Sequence, residues 1–440
     1  MNKEMKNLAA WSIETAKASG ADACRITIDS SRVVEISYRE RKPENIKEAS
    51  KKNLSIDIFA EGRYSNQSTS DLRKEPLKSF ISNAVETTKL LAEDPYRSLP
   101  DPKYFKNMAE KDLKILDPNY QKLTPEKRHE IVKSIENIAL TSGGDKVISV
   151  TAEEEDGHQE TVLMASNGFE GYEEGTYYVF GGNMTLQDEG DRRPRNYFYV
   201  VTTNQKDILP PEKIGQEVAA RTLDLMGGKK LKTETLPIII EGRVTPRLLG
   251  GFVRAMSGRN IQQKQSFLAE KKEQKIGSDL FTLIDDPFIP GGLGSALFDS
   301  DGMATQKRTM IDKGALKEFY VDWYYSRKLG WEPTTARTTN LIIPPGKRSV
   351  KEIMKDLGRG IYINGFIGGN SNPTTGDASV GIMGKLFENG EFSQTVAEMN
   401  IAGNHLEFWH KLTEVANDPW PYSSYRIPSL VFTDVVVSGT

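Results

Sequence analysis

The sequence predicts an α+β protein of two domains, with helices packed on antiparallel sheets in the N-terminal domain and a strand-dominated C-terminal domain. Three observations carry this. The chain has 440 residues, more than a single hydrophobic core usually serves. Its first half runs helix, alternating strands, helix, an order that lays helices on an antiparallel sheet instead of interleaving them with a parallel one. Its second half holds short strand-like runs between glycine- and proline-rich turns. The polar stretch 229–235 reads as the linker, giving domains 1–230 and 231–440. The first of these divides further into subsegments 1–110 and 111–230.

Residues 3–18 read as a helix, with Met5, Leu8, Ala9, Ile13 and Ala16 on one face and Gly20 suited to a left-handed cap. Alternation then sets in at Ile26 and Ile28, at Val34, Ile36 and Tyr38, and at Leu54, Ile56 and Ile58. These are strands with one buried face. Asp71 stands where an N-cap belongs, ahead of a helix whose face is Phe80, Ile81, Ala84, Val85, Thr88 and Leu91. Residues 94–125 are punctuated by prolines and read as a connection crossing the surface. A helix follows Thr124 and Pro125 and buries Ile131, Ile135 and Ile138. Strands occupy residues 147–203, broken by Asn167-Gly168 and by Gly181-Gly182. The next helix opens after Pro210-Pro211, uses Ile214, Val218 and Leu225, and stops at Gly227-Gly228.

The second domain begins with a strand at residues 236–241. A short helix follows directly, with Leu248, Leu249, Phe252, Val253 and Met256 at helical spacing and a stop at Ser257-Gly258. The remainder reads as β-rich and full of turns, as at residues 290–294 and 365–370. One helix interrupts it at 350–357, and the last strand covers 430–437.

Hydrophobic residues are 37% and charged residues 27% of the chain, with net charge −3. That balance suits a soluble globular protein and gives no reason to expect direct nucleic-acid contact, which leans on concentrated positive charge. The basic groups at Arg192-Arg193 and Lys229-Lys230 read as solvated turns. The single cysteine, Cys24, excludes an internal disulfide and suits a reducing compartment. It sits beside a strand and reads as a half-buried core residue. No stretch approaches a membrane span, and the N-terminus lacks an apolar signal core. The expectation is a cytoplasmic protein with no membrane contact.

The helix Arg247-Leu-Leu-Gly-Gly-Phe-Val-Arg-Ala-Met-Ser-Gly-Arg259 resembles the metal helix of the TldD/PmbA metallopeptidase family. The resemblance continues through Gly294-Ser-Ala-Leu-Phe-Asp-Ser-Asp-Gly302, Ile311-Asp-Lys-Gly-Ala-Leu-Lys317, Asn340-Leu-Ile-Ile-Pro-Pro-Gly346, Gly376-Asp377, Glu388-Asn-Gly-Glu391 and Glu398-Met-Asn-Ile-Ala-Gly-Asn404. These fall in family order over the last half of the chain. In the catalytic branch the helix carries His-Glu-x-x-x-His. Here the histidine positions are Val253 and Gly258, and the glutamate position is Arg254. The family's C-terminal cysteine ligand is absent too, since no cysteine follows Cys24. An arginine ~5 Å from a divalent ion repels it by about 7 kcal/mol at an effective dielectric near 20. The chain therefore resembles the family's metal-free branch (PmbA/TldE-like). Arg254 is then either a solvent-facing helical residue or a salt-bridge partner for another subunit or a peptide carboxylate.

The resemblance implies no catalytic residue, metal or cofactor in this chain, and a TldD-like catalytic subunit that carries zinc and forms a heterodimer with it. The pair would admit small or unfolded peptides for proteolysis. Family members also carry the older description "modulator of DNA gyrase", which leaves a second reading: a stand-alone regulatory or binding protein, with a homodimer possible. The candidate peptide-binding segment is Gly368, Gly369, Asn370, Asn372, Gly376 and Asp377, whose match in the catalytic branch lies on a strand near the metal cleft. Bare backbone there either pairs with an extended peptide by strand addition or forms an ordinary turn with positive-φ glycines.

Other chemistry is weakly signalled. His405-Leu-Glu-Phe-Trp-His410 superficially repeats two histidines and a glutamate. A five-residue separation splays them by about 140° on a helix, so the segment reads as amphipathic, with Leu406 and Trp409 packed. No Walker-type phosphate loop and no strand-linked G-x-G-x-x-G is present. No nucleophile elbow or serine–histidine pairing is defensible from the sequence.

Overall fold

A computed structural model describes residues 2–440. Its N-terminal half contains α1 (Lys3–Ala18), β1 (Ala23–Arg39), β2 (Lys42–Ala60), β3 (Arg63–Thr69), α2 (Lys74–Thr88), α3 (Pro125–Gly143), β4 (Val147–Ala165), β5 (Glu170–Leu186), β6 (Arg195–Thr202) and α4 (Pro211–Leu223). The six strands form one antiparallel sheet in the order β3-β2-β1-β4-β5-β6. Even-numbered positions of β1 from Cys24 to Ile28 join a core with α1 and α2, and Val34, Ile36 and Tyr38 join a second core with α3 and α4. Period-2 alternation along one unbroken strand places these positions on one face, so all four helices cover the same side of the sheet. β2 outruns its neighbour: β3 pairs only with residues 54–60, and the first part of the strand, from Lys42 to Lys51, is largely solvent-exposed.

The C-terminal half contains β7 (Glu234–Ile240), α5 (Thr245–Ala255), α6 (Gly258–Gln262), β8 (Leu283–Asp286), β9 (Arg308–Asp312), β10 (Ala315–Leu316), α7 (Trp323–Leu329), β11 (Asn340–Ile342), α8 (Val350–Leu357), β12 (Arg359–Ser371), β13 (Asp377–Glu388), β14 (Glu391–Asn404), α9 (His405–Phe408), β15 (Leu412–Val415), β16 (Tyr425–Arg426) and β17 (Leu430–Ser438). One sheet runs β14-β13-β12-β7-β17-β15, and β14 also pairs with β17. Strands β7, β12, β13, β14 and β17 thus close on themselves as a small barrel. A second sheet runs β10-β9-β8-β11-β16. The architecture is the expected two-domain α+β arrangement, tied across by Arg25 of β1, which bonds Asp57 at 2.8 Å and Asp301 at 2.8 Å.

Several local expectations are corrected. Asp71 does not cap α2; Arg73 is the N-cap residue, and the Asp71 carboxylate instead accepts from the Arg73 amide and guanidinium. Leu91 lies beyond that helix and is exposed. Gly181 and Gly182 do not break the strands but lie inside β5. A Cβ on Gly181 would come within 2.2 Å of the Phe198 carbonyl, and one on Gly182 within 2.6 Å of that of Thr151. Glycine is there for close approach of neighbouring strands. Residues 365–370 likewise belong to β12, with register shifts at 363/365 and 367/370. The surface connection 94–125 sends Leu113, Tyr120 and Leu123 into the interior. α5 ends at Ala255, and Ser257 caps the next helix, its Oγ accepting from Asn260 N. Cys24 is wholly buried, which pushes its thiol pKa up to about 12. No helix among the described residues is long and apolar enough to cross a membrane.

Candidate functional site

α5 sits where the chain leaves the barrel. β7 delivers Glu241 and Gly242 to the helix start, Pro246 fits the first turn, and the Thr245 hydroxyl donates to the Glu241 carbonyl at 3.1 Å. Leu248, Leu249, Phe252, Val253 and Met256 pack into the main core of the C-terminal half, each contributing about 2 kcal/mol of burial. This pattern decides the fate of three positions. Val253 faces the core. Arg254, one residue and about 100° on, is exposed. Gly258 is buried, its amide donating to the Tyr320 carbonyl at 2.7 Å, with Val321 Cα 3.3 Å from where a Cβ would stand. The three offer no imidazole, carboxylate or thiolate. These residues do not fit zinc. Among the described residues, no group of three or more His, Cys, Asp or Glu side chains gathers where it could hold a metal ion.

The glycine segment divides into two parts. Asn372, Gly376 and Asp377 are used by the turn itself. The Asn372 Oδ1 accepts from Thr374 N at 2.9 Å, and Gly376 N donates to the Asn372 carbonyl at 2.9 Å. The Asp377 carboxylate accepts from the Thr375 hydroxyl and from the Asn404 amide, which hold its pKa below the usual carboxylate range. Gly376 is buried with φ +84°. Gly368, Gly369 and Asn370 instead form an exposed rim at the end of β12; on one side Asn370 pairs with Ser379 of β13, and the two glycines bulge out of the register between Ile367 and Asn370. On the other side β7 pairs only with Ile361 to Ile363. Two arginines take over there: Arg243 donates to the Asn364 carbonyl at 2.9 Å and Arg247 to the Gly368 carbonyl at 2.9 Å. The edge is therefore partly occupied by guanidinium groups from the α5 approach, which spacing alone does not reveal.

A serine–histidine pair, absent from the sequence reading, lies between rim and helix. The Ser371 hydroxyl is 2.9 Å from His405 Nε2. Gly251 of α5 permits this approach, since a Cβ there would stand 2.3 Å from Ser371 Oγ. The pair resembles a hydrolytic dyad, but its proton assignment opposes that role. Trp409 Nε1, a donor only, points at His405 Nδ1 at 3.3 Å. Nδ1 is then the acceptor and Nε2 carries the proton, which it donates to Ser371. A general base needs a lone pair at that nitrogen. Burial also lowers the imidazole pKa to about 4, with Phe267 stacked on the ring and Phe252 edge-on. His410 is exposed, on a different side from His405, and Trp409 is wholly buried against Phe281. The segment 405–410 is thus a core anchor, as its amphipathic pattern suggests.

Two family domains match this sequence: the PmbA/TldA metallopeptidase central domain over residues 118–226 and the PmbA/TldA metallopeptidase C-terminal domain over residues 233–439. The chain is 27% identical to Metalloprotease PmbA of Escherichia coli O157:H7, over 96% of its own length and 94% of that protein. It is 35% identical to a Bacteroides thetaiotaomicron protein of known structure described as a candidate modulator of DNA gyrase, with TM-score 0.96 and 99% of each chain covered. TldE from Thermococcus kodakarensis shares the fold at TM-score 0.86 and 24% identity, over 99% of this chain and 100% of that one.

Proposed function

The chain belongs to the PmbA/TldD metallopeptidase family, and from that premise we propose that it is the metal-free subunit of a peptidase complex whose TldD-like partner carries the zinc and the catalytic base. The observation that carries the reading is the state of α5. Val253 is committed to the core, Arg254 puts a cation where a carboxylate would be needed, and Gly258 is pinned to Tyr320. The inert tautomer of His405 supports it further, because the one serine–histidine contact at the site cannot serve as a substitute catalyst.

In this reading the exposed rim Gly368, Gly369 and Asn370 supplies peptide contacts, the substrate is a small or unfolded peptide, and the complex is cytoplasmic. Arg247 on the Gly368 carbonyl would be displaced or shared by an incoming strand. The test is reconstitution with a metal-bearing relative from the same genome. The pair should cleave unfolded peptides and lose that activity to a chelator, while this chain alone should not cleave them. Chelator-insensitive cleavage by this chain alone would overturn the proposal. The alternative, a stand-alone regulatory or binding protein, draws on the gyrase-modulator description of the Bacteroides thetaiotaomicron relative. It would be favoured by a stable homodimer that forms no complex with any such relative.

A further inference from the structure

Arg426, on the short strand β16, differs from the fold's most buried guanidinium groups. Arg25, Arg128, Arg221 and Arg308 each face a carboxylate. Arg426 has no ion pair or side-chain hydrogen bond among the described residues, and its Nε is buried without a partner. Burial lowers its pKa from the ordinary arginine value, opposed by the charge of Asp207. A partly desolvated cation with no ion-pair partner costs the fold stability unless something else pairs with it.

The guanidinium lines a cleft of about 370 Å³, walled by Leu293, Pro421 and Tyr422. The wall is fixed, since Tyr422 packs on Trp420 and Trp420 packs on Phe198 of β6. A larger cleft of about 820 Å³ shares Asp207, Pro290 and Gly291 with it, so the two form one groove. The larger part is lined by Lys114, Lys122, Lys127 and Lys206. Lys114 pairs with Asp112; the other three have no carboxylate within ion-pair reach among the described residues. Asp117, the other acid of this lining, is already engaged by Asn119 N, Gln205 N and the Tyr178 hydroxyl. In a chain of net charge −3, this groove is locally cationic.

We propose that this groove binds an acidic segment of an extended peptide, with one carboxylate seated on the Arg426 fork and the following residues beside Lys122, Lys127 and Lys206. A guanidinium fork matches a carboxylate bidentately. The smaller end, where Thr202 and Thr203 line the cleft beside Leu293, Pro421 and Tyr422, suits a single side chain or chain end. The negative charge of the whole protein disfavours a long polyanion such as nucleic acid. The choice of peptide rests on the function proposed above, whereas the cationic groove does not.

The test uses the isolated chain and a dye-labelled hexaglutamate peptide, followed by fluorescence anisotropy at low salt. Saturable binding is expected, weakened about tenfold or more in Arg426→Gln and recovered in part by Arg426→Lys. Lys122→Glu combined with Lys206→Glu, both at exposed positions, should weaken it as well, and this variant carries the test alone if Arg426→Gln does not fold. Absence of saturable binding, or equal binding by wild type and the folded variants, overturns the proposal. Tighter binding of a single-stranded oligonucleotide overturns it in favour of nucleic acid. Competition by inorganic phosphate at the peptide's own affinity reduces the groove to a single-anion pocket and overturns the extended-peptide assignment. A chain that binds hexaglutamate through Arg426 yet joins no metal-bearing relative overturns the subunit reading alone.

Discussion

Lowering the pH from 7 to 5 is expected to cost this fold about 2 kcal/mol at one side chain, His405. Its imidazole titrates near the usual 6.5 in the unfolded chain but only at about 4 in the buried site. The folded pKa is thus depressed for a group whose protonated form is the charged one. Stability from the neutral ring is fully present above pH 6.5 and is lost as the pH falls through 6.5 toward 4, because only the unfolded chain takes up the proton. At about 1.4 kcal/mol per pKa unit the full loss is roughly 3 kcal/mol, and about 2 kcal/mol of it has accrued by pH 5. No discount for solvent screening applies, since the ring is almost wholly buried. The reference is His405→Gln, whose amide can still accept from Trp409 and donate to Ser371 but does not titrate. Urea unfolding at pH 7 and pH 5 should show wild type losing about 2 kcal/mol more than this variant, every other titrating group being common to both. The reasoning is refuted if the two proteins lose the same stability, or if the His405 ring proton resonance titrates near 6.5 in the folded protein.

Three further outcomes follow from the packing. Arg128→Met should destabilise by about 3–5 kcal/mol in urea unfolding, because it strands the buried Asp156 carboxylate that the guanidinium holds. Gly181→Ala should abolish or severely weaken folding, its Cβ meeting the Phe198 carbonyl, whereas Gly368→Ala, with open space around it but φ +58°, should cost only about 1 kcal/mol; a melting comparison separates them. Cys24, buried and with its thiol pKa raised to about 12, should fail to react with a thiol reagent at pH 8 until the chain is denatured.

Long periodic segments with ordinary ends were legible in the sequence. Residues 3–18 and 350–357 carry clear helical faces, and both helices have those bounds. Glycine proved the least readable letter. At Asn167-Gly168 it makes the expected turn. At Gly181 and Gly182 it serves only to admit neighbouring backbone, a role set by strands distant in sequence. At the candidate site, the substitutions at Val253, Arg254 and Gly258 could be read from their residue types. The Ser371–His405 contact could not, because it joins residues 34 apart through a helix glycine that carries no signature of its own. Gly369 had a further constraint hidden in its backbone. With φ +95° and Ser379 O 2.7 Å from a would-be Cβ, Gly369→Val is a folding variant and no probe of peptide contact. Asn370, exposed and outside the turn's hydrogen bonds, is the better probe.

The closed barrel has a temporal consequence. β7 finds its two neighbours far downstream: Ile238 pairs with Ile361, and Ile240 with Leu430. β17 is also the strand that meets β14 and seals the ring. During synthesis the α5 region therefore emerges with its supporting sheet unfinished, and its apolar stripe has nowhere to settle until β12 and then β17 have been made. The N-terminal sheet faces no such wait, since its last strand, β6, precedes β7. The order of translation thus gives a folded first half that carries an incomplete second half for nearly two hundred residues. Such non-local closure is slow and leaves apolar surface open to aggregation, so the yield of active protein should respond more sharply to chaperone supply and growth temperature than the stability of the finished fold would suggest.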